Sequence, residues 1–227
     1  MNNLLWAVML AVNFAAIMLS YRLFGKLGLF MWIPIAVIIA NIQVVKTVEI
    51  FGFIATLGNI VYATSFLVTD ILNENYGKKE ARKAVGLGFF ALISMTVLMN
   101  LALRFVPHES DFAHGSLVTI FSIMPRIALG SLAAYALSQL HDVWSYNRLK
   151  EIRPGKKFIW LRNNLSTMVS QAIDTVVFTT IAFAGVFEVR VLIEILLTTY
   201  LFKWLTAAAD TPFIYLARSW KERGLVD

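Results

Sequence analysis

Asp174 and Lys203 each stand near the middle of an apolar stretch long enough to cross a membrane, where a charge is either paired or at work. Asp174 falls about eleven residues along its stretch counted from Asn163, roughly 17 Å of helical rise. Lys203 falls about twelve residues along the next, antiparallel stretch, so the two reach nearly the same depth and can pair. Gln171 and Ser170 lie one turn from Asp174, and Asn163 and Asn164 lie toward the basic end of that helix. Asn41, Gln43 and Lys46 close an earlier apolar run, and Asn59, Tyr62 and Thr64 sit about a third of the way down the one after it. The pair alone reads equally as a clip between two helices. Convergence of the other polar residues at similar depth favours a pocket, with Asn41, Gln43, Asn59, Tyr62, Gln171, Asp174 and Lys203 as substrate-binding candidates. Such a set suits a planar heterocycle. A carboxylate accepts the adjacent N–H donors of a guanine-like edge, amides meet its carbonyl and ring nitrogen, and Tyr62, Phe66 or Phe178 offers a stacking face.

A second group of charges lies at helix ends. Asp70 and Glu74 are four apart and share a helix face, followed by Gly77 and the basic residues Lys78, Lys79, Arg82 and Lys83. They read either as a salt-bridged helix end facing Arg82 or Lys83, or as a gate whose ion pairs break and reform. Asp142 and Arg148 form a comparable candidate pair, and Arg126 reads as a bridge from an outer lid to the pocket or as an interface anchor. Gly130, Ala134 and Ser138 recur every four positions, a stripe for close helix approach, and Asp210 beside Pro212 marks a kink.

The elements that position these residues follow from composition. Of 227 residues, 59% are hydrophobic and 15% charged, with no cysteine, which puts the chain outside the soluble class and excludes disulfides and thiol chemistry. The mean hydropathy is +0.71. Apolar runs near 4–24, 29–45, 50–72, 84–106, 125–143, 166–187 and 191–216 predict an all-α, polytopic transmembrane bundle of about seven spans in one domain, 1–227. The first run lacks a cleavage site and reads as a retained helix, not a signal peptide. Leu117, Ile120, Phe121 and Met124 predict a short amphipathic helix between the fourth and fifth runs. The net charge of +6 is concentrated in alternate connections and the tail, which marks topology and not nucleic-acid binding. It predicts an outside N-terminus and a cytoplasmic C-terminus. Motifs for a metal site, a nucleotide or a catalytic nucleophile do not occur, so the chain reads as neither an enzyme nor a cofactor binder.

Four blocks in order carry a resemblance: ATLGNIVYATSFLVTDILNENYGKKEARKAVGLG from Ala55, RIALGSLAAYALSQLHDVWSYNRLK from Arg126, NNLSTMVSQAIDTVVFTTIAF from Asn163 and YLFKWLTAAADTP from Tyr200. Together they closely resemble the queuosine precursor transporter family, also called the VUT family, and cover most of the chain. The resemblance implies a six-helix core like that of the substrate-binding subunits of energy-coupling-factor vitamin transporters. That core maps to 29–218, with 1–25 as an extra N-terminal helix. It implies import across the cytoplasmic (inner) membrane of a 7-deazaguanine: the 7-cyano or 7-aminomethyl form, or queuine. The alternative it leaves is uptake of another vitamin or nucleobase as a subunit of an energy-coupling complex; a non-transporting scaffold is the remaining reading. The family's Asp and Lys positions match Asp70, Asp142, Asp174 and Lys203. Implied partners are the substrate, the bilayer, and a second copy or energising subunits; no nucleic acid is implied.

Overall fold

The computed structural model describes the backbone of residues 1–152 and 159–227; side chains at 139, 142, 143, 146, 147, 150, 159–167, 207 and 211 lie outside the description. The chain divides into two compact units, Met1–Pro125 with Leu201–Asp227, and Arg126–Tyr200.

In the first unit no loop separates the first two apolar runs. They form one helical run, α1 (Asn2–Gln43), bent at Gly25, whose φ of 55° is available to glycine at little steric cost. At 42 residues, α1 would extend about 63 Å if straight, twice a hydrocarbon layer. The bend folds it into two arms. Met9 of the first packs against a cluster formed by Ala36 and Ala40 of the second with Val61. Contact is tight because Gly28 has no Cβ, an atom that would sit 2.2 Å from the Ser20 carbonyl oxygen.

The third run is only partly helical. Residues ahead of Gly58 form a hairpin, β1 (Thr47–Ile50) against β2 (Phe53–Thr56), with Val48 opposite Ala55 and Ile50 opposite Phe53. Its two-residue turn has positive φ at both Phe51 (53°) and Gly52 (83°), the backbone of a type I′ turn. A phenylalanine at such a φ is strained. Asn3 Oδ1 accepts from the Phe51 N–H at 2.8 Å and Trp6 meets its ring edge-on at 5.8 Å, holding it there.

α2 (Gly58–Tyr76) and α3 (Lys78–Ala102) follow, joined through Gly77. The amphipathic helix expected after them is present as α4 (His114–Phe121), pinned to α3 where Asn100 donates to the Phe121 carbonyl at 3.1 Å. The unit's interior is apolar, centred on Phe14, Ile17, Tyr21, Leu29, Leu67 and Ile71. Its far end from the hairpin gathers the turn at Gly25, the α2–α3 joint and the C-terminal residues: Lys26 N donates to the Asp227 carbonyl, and Asn75 donates to Tyr21 and to the Ala217 carbonyl.

The second unit holds nearly all of α5 (Met124–Ile152), α6 (Ile159–Phe183) and residues 189–200 of α7 (Val189–Glu222). Gly130 of the small-residue stripe faces α6, where a Cβ would touch the Phe178 carbonyl and Ala182 N at 3.4 and 3.5 Å. The stripe therefore serves internal packing at that position.

The fold is all-α apart from the hairpin. Four helical stretches among the described residues are long and apolar enough to cross a membrane: Asn2–Gln43, Lys78–Ala102, His114–Ser138 and Val189–Glu222. Large apolar side chains such as Phe90 and Leu98, 71% and 64% exposed, face outward as lipid contact requires.

Candidate functional site

At the hairpin end of the first unit, local geometry draws three elements together. Gly58 opens α2 directly against the end of α1, since a Cβ would stand 2.2 Å from the Ala40 carbonyl oxygen. The Leu57 N–H donates to the Lys46 carbonyl at 2.9 Å, and the Lys46 N–H to the Gln43 carbonyl at 3.0 Å. This clamp buries Asn41 and Asn59. One Asn41 N–H is spent on its own helix, donated to the Val37 carbonyl at 2.7 Å. From α7, Phe202 packs on Ile50 and Ala55 of the hairpin and meets the Trp6 ring at 5.4 Å.

The next residue, Lys203, is only 4% exposed, and its Nζ lies 5.3 Å from the Tyr62 ring centroid. A buried ammonium over a π face is a cation–π contact that desolvation strengthens. Tyr62 is held in turn by Phe66, edge-on at 5.5 Å. Five of the expected binding residues, Asn41, Gln43, Asn59, Tyr62 and Lys203, therefore belong to one unit, on segments that contact one another near the hairpin.

Gln171 and Asp174 belong to the second unit and Lys203 to the first. Along α6 the residues Ser170, Asp174, Thr175 and Thr179 are each buried. Thr175 Oγ1 donates to the Gln171 carbonyl at 2.8 Å, while His141 Nδ1 and Ser170 Oγ are 3.0 Å apart.

The ion pairs differ in partner from those expected. Glu74 meets Arg218 of α7 at 2.8 Å and not Arg82 or Lys83, and Arg218 also holds Glu222 at 2.8 Å. Arg82 and Asp70 are exposed. Lys26 bridges Glu80 at 2.6 Å, and Lys83 lies 5.5 Å from the Phe30 ring centroid. Arg148 pairs with Glu151 at 2.8 Å, and the side chain of Asp142 lies outside the described residues. Arg126 reaches the C-terminal end of α6. Its guanidinium donates to the carbonyls of Ile181 and Ala184, the last turn of α6, where unpaired carbonyls and the helix dipole favour a cation. Sequence reasoning missed Arg218, 144 residues from Glu74, because no local spacing links the two.

A family model described as "Putative vitamin uptake transporter" matches residues 56–217. A protein of Bacillus subtilis (strain 168) named "Probable queuosine precursor transporter" is 47% identical over 217 residues, 96% of this chain and 95% of its own length. The "Queuosine precursor transporter" of Escherichia coli (strain K12) is 31% identical over 168 residues, 72% of each chain. A "Probable queuosine precursor transporter" of Haemophilus influenzae is 31% identical over 134 residues, 59% of this chain and 54% of its own. No solved structure matches. With its apolar helices, its buried polar layer and a family match over most of its length, the chain is a multi-pass membrane protein and belongs to the vitamin uptake transporter family.

Proposed function

We propose that this protein imports a queuosine precursor, a 7-deazaguanine base, across the cytoplasmic membrane without covalent chemistry. The observation that carries the reading is the 47% identity, over 96% of the chain, to a protein named for queuosine precursor transport. The hairpin end of the first unit supports it. Buried amides at Asn41 and Asn59, with a cation and an aromatic ring at Lys203 and Tyr62, are the groups a planar base with a carbonyl and N–H donors needs. In the second unit, Asp174, 9% exposed on α6, is a separate candidate acceptor for an N–H edge or an amine-bearing substituent.

The two arms of α1 with α2, α3, α5, α6 and α7 give seven spans acting as a single transporter domain. Arg22, Lys26, Arg218 and Lys221 meet around the turn at Gly25 and Tyr76, which supports placing that end in the cytoplasm and the hairpin outside. Exposed pairs such as Arg218 with Glu74 are each worth at most about 1 kcal/mol, weak enough to break and reform in a gate. The protein acts without an energising module, as a single chain or a homodimer.

The test is restoration of queuosine in transfer RNA of a host lacking both its synthesis and its uptake. Expression of this chain with 7-cyano-7-deazaguanine, 7-aminomethyl-7-deazaguanine or queuine supplied should restore the modification. Absence of rescue by all three bases, with the protein present in the membrane, would sink the reading.

A further inference from the structure

Two buried oxygen atoms at the hairpin end have no hydrogen-bond partner: Gln43 Oε1, on the last residue of α1, and Thr56 Oγ1, on the last residue of β2. Thr56 is 1% exposed. Both lie on the segments joined by the Leu57-to-Lys46 and Lys46-to-Gln43 hydrogen bonds, with Gly58 closing the same junction against Ala40 and Val44. Neither oxygen is left unpaired by a chain that strays there. Backbone hydrogen bonds and close packing fix both segments.

A buried oxygen with no donor costs folding stability and is uncommon in native proteins, so two at one junction ask for an explanation. A ligand that brings N–H donors supplies one. Of the other groups at this end of the unit, Lys203 is a donor, Tyr62 a ring and Trp6 Nε1 a further buried donor with no partner, while the amides of Asn41 and Asn59 carry both donors and an acceptor. A guanine-type base has a carbonyl for a donor, a face for a ring, and adjacent N–H groups that require acceptors. We infer that Gln43 and Thr56 are specificity-determining acceptors for the N–H donors of the base, its exocyclic amine among them. Thr56 thereby joins the site although it precedes α2 and lies on a strand. The inference rests on the import reading and deepens it by naming what distinguishes a guanine edge from one without the amine.

The experiment uses the full chain in cells that take up labelled 7-cyano-7-deazaguanine, competed by unlabelled 7-deazaguanine or by 7-deazahypoxanthine, which lacks the exocyclic amine. A site that binds an N–H group rejects the analogue lacking it, so the wild-type chain should prefer 7-deazaguanine by at least about tenfold. Thr56→Val keeps the side-chain shape and removes the unpaired hydroxyl, so folding should hold while the preference shrinks by about tenfold. Thr56→Ser should keep the preference. Gln43→Leu should shrink it as Thr56→Val does, and it decides the matter by the same ratio if Thr56→Val does not reach the membrane. Wild-type preference retained in both Thr56→Val and Gln43→Leu overturns the inference and leaves import standing. No uptake by the wild-type chain overturns import and the inference together.

Discussion

Lys203 is the residue on which the site depends most visibly, being a cation at 4% exposure with its Nζ over the Tyr62 ring. Truncating one partner of a buried charged contact destabilises, so the effect of Lys203→Met is read as uptake per molecule that reaches the membrane. Uptake per molecule in the membrane should fall at least about tenfold. Pairing with Asp174 is read by the double variant Asp174→Asn with Lys203→Met: if the charges only balance each other, the double variant regains what Asp174→Asn alone loses in yield. The count of helical rise that placed Asn59 and Tyr62 a third of the way down a span started at Ile50, which is hairpin, so Asn59 stands instead at the start of α2. Thr56 was not legible as a site residue. It sits inside a continuous apolar run and looked like one more membrane residue. Nor was the role of Arg126 as a cap on α6, since the Ile181 and Ala184 carbonyls it binds lie 55 and 58 residues away.

Among elements, the junction of α1, the hairpin and α2 is the one whose failure should cost most. A Cβ at Gly58 would stand 2.2 Å from a backbone oxygen and 2.8 Å from the Val44 nitrogen, so Gly58→Ala must push α2 away from α1. The expected penalty is about 2 kcal/mol or more, seen as a lower melting temperature of the detergent-solubilised protein and loss of uptake. Gly86→Ala is the control. Nothing lies within 4 Å of a Cβ there, and alanine favours the helix, so stability should hold or rise by up to about 1 kcal/mol. The helices were legible as apolar runs of the right length, including the short α4 by its periodicity. The hairpin was hidden because its apolar residues join those of α2 without a polar break. The signal was nonetheless there: Thr47, Val48, Ile50, Ile54 and Thr56 are β-branched, and Phe51-Gly52 marks a turn between them. The bend at Gly25 was legible as a boundary between runs, but its tightness was not, since Arg22 and Lys26 suggest a solvated loop. In the fold Lys26 is instead tied to Glu80.

At the scale of the whole molecule, residues 1–3 touch the hairpin, through Asn2 with the Glu49 carbonyl and Asn3 with Phe51, while Asp227 touches the turn at Gly25. Those two ends of the first unit are separated by the full first arm of α1, and we propose that the two chain ends lie on opposite membrane faces. Reporter fusions after Asp227 and before Met1 should be active in the cytoplasm and outside, respectively; the reverse would invert every depth assigned to the site. The membrane class and family were legible from composition and four sequence blocks, because lipid imposes length and charge rules on every span. Which side chains face one another across the first unit was not legible, as those contacts depend on helix rotation that an all-round apolar helix does not encode. The central claim is that this chain alone carries a 7-deazaguanine base across a membrane. It is tested most directly by purifying the full chain, reconstituting it into liposomes, and measuring entry of labelled 7-cyano-7-deazaguanine and of the 7-aminomethyl form and queuine. Saturable uptake of at least one base above empty liposomes, reduced by Lys203→Met, is the predicted result; uptake of none above empty liposomes, with a relative from Escherichia coli active in parallel, would contradict the account.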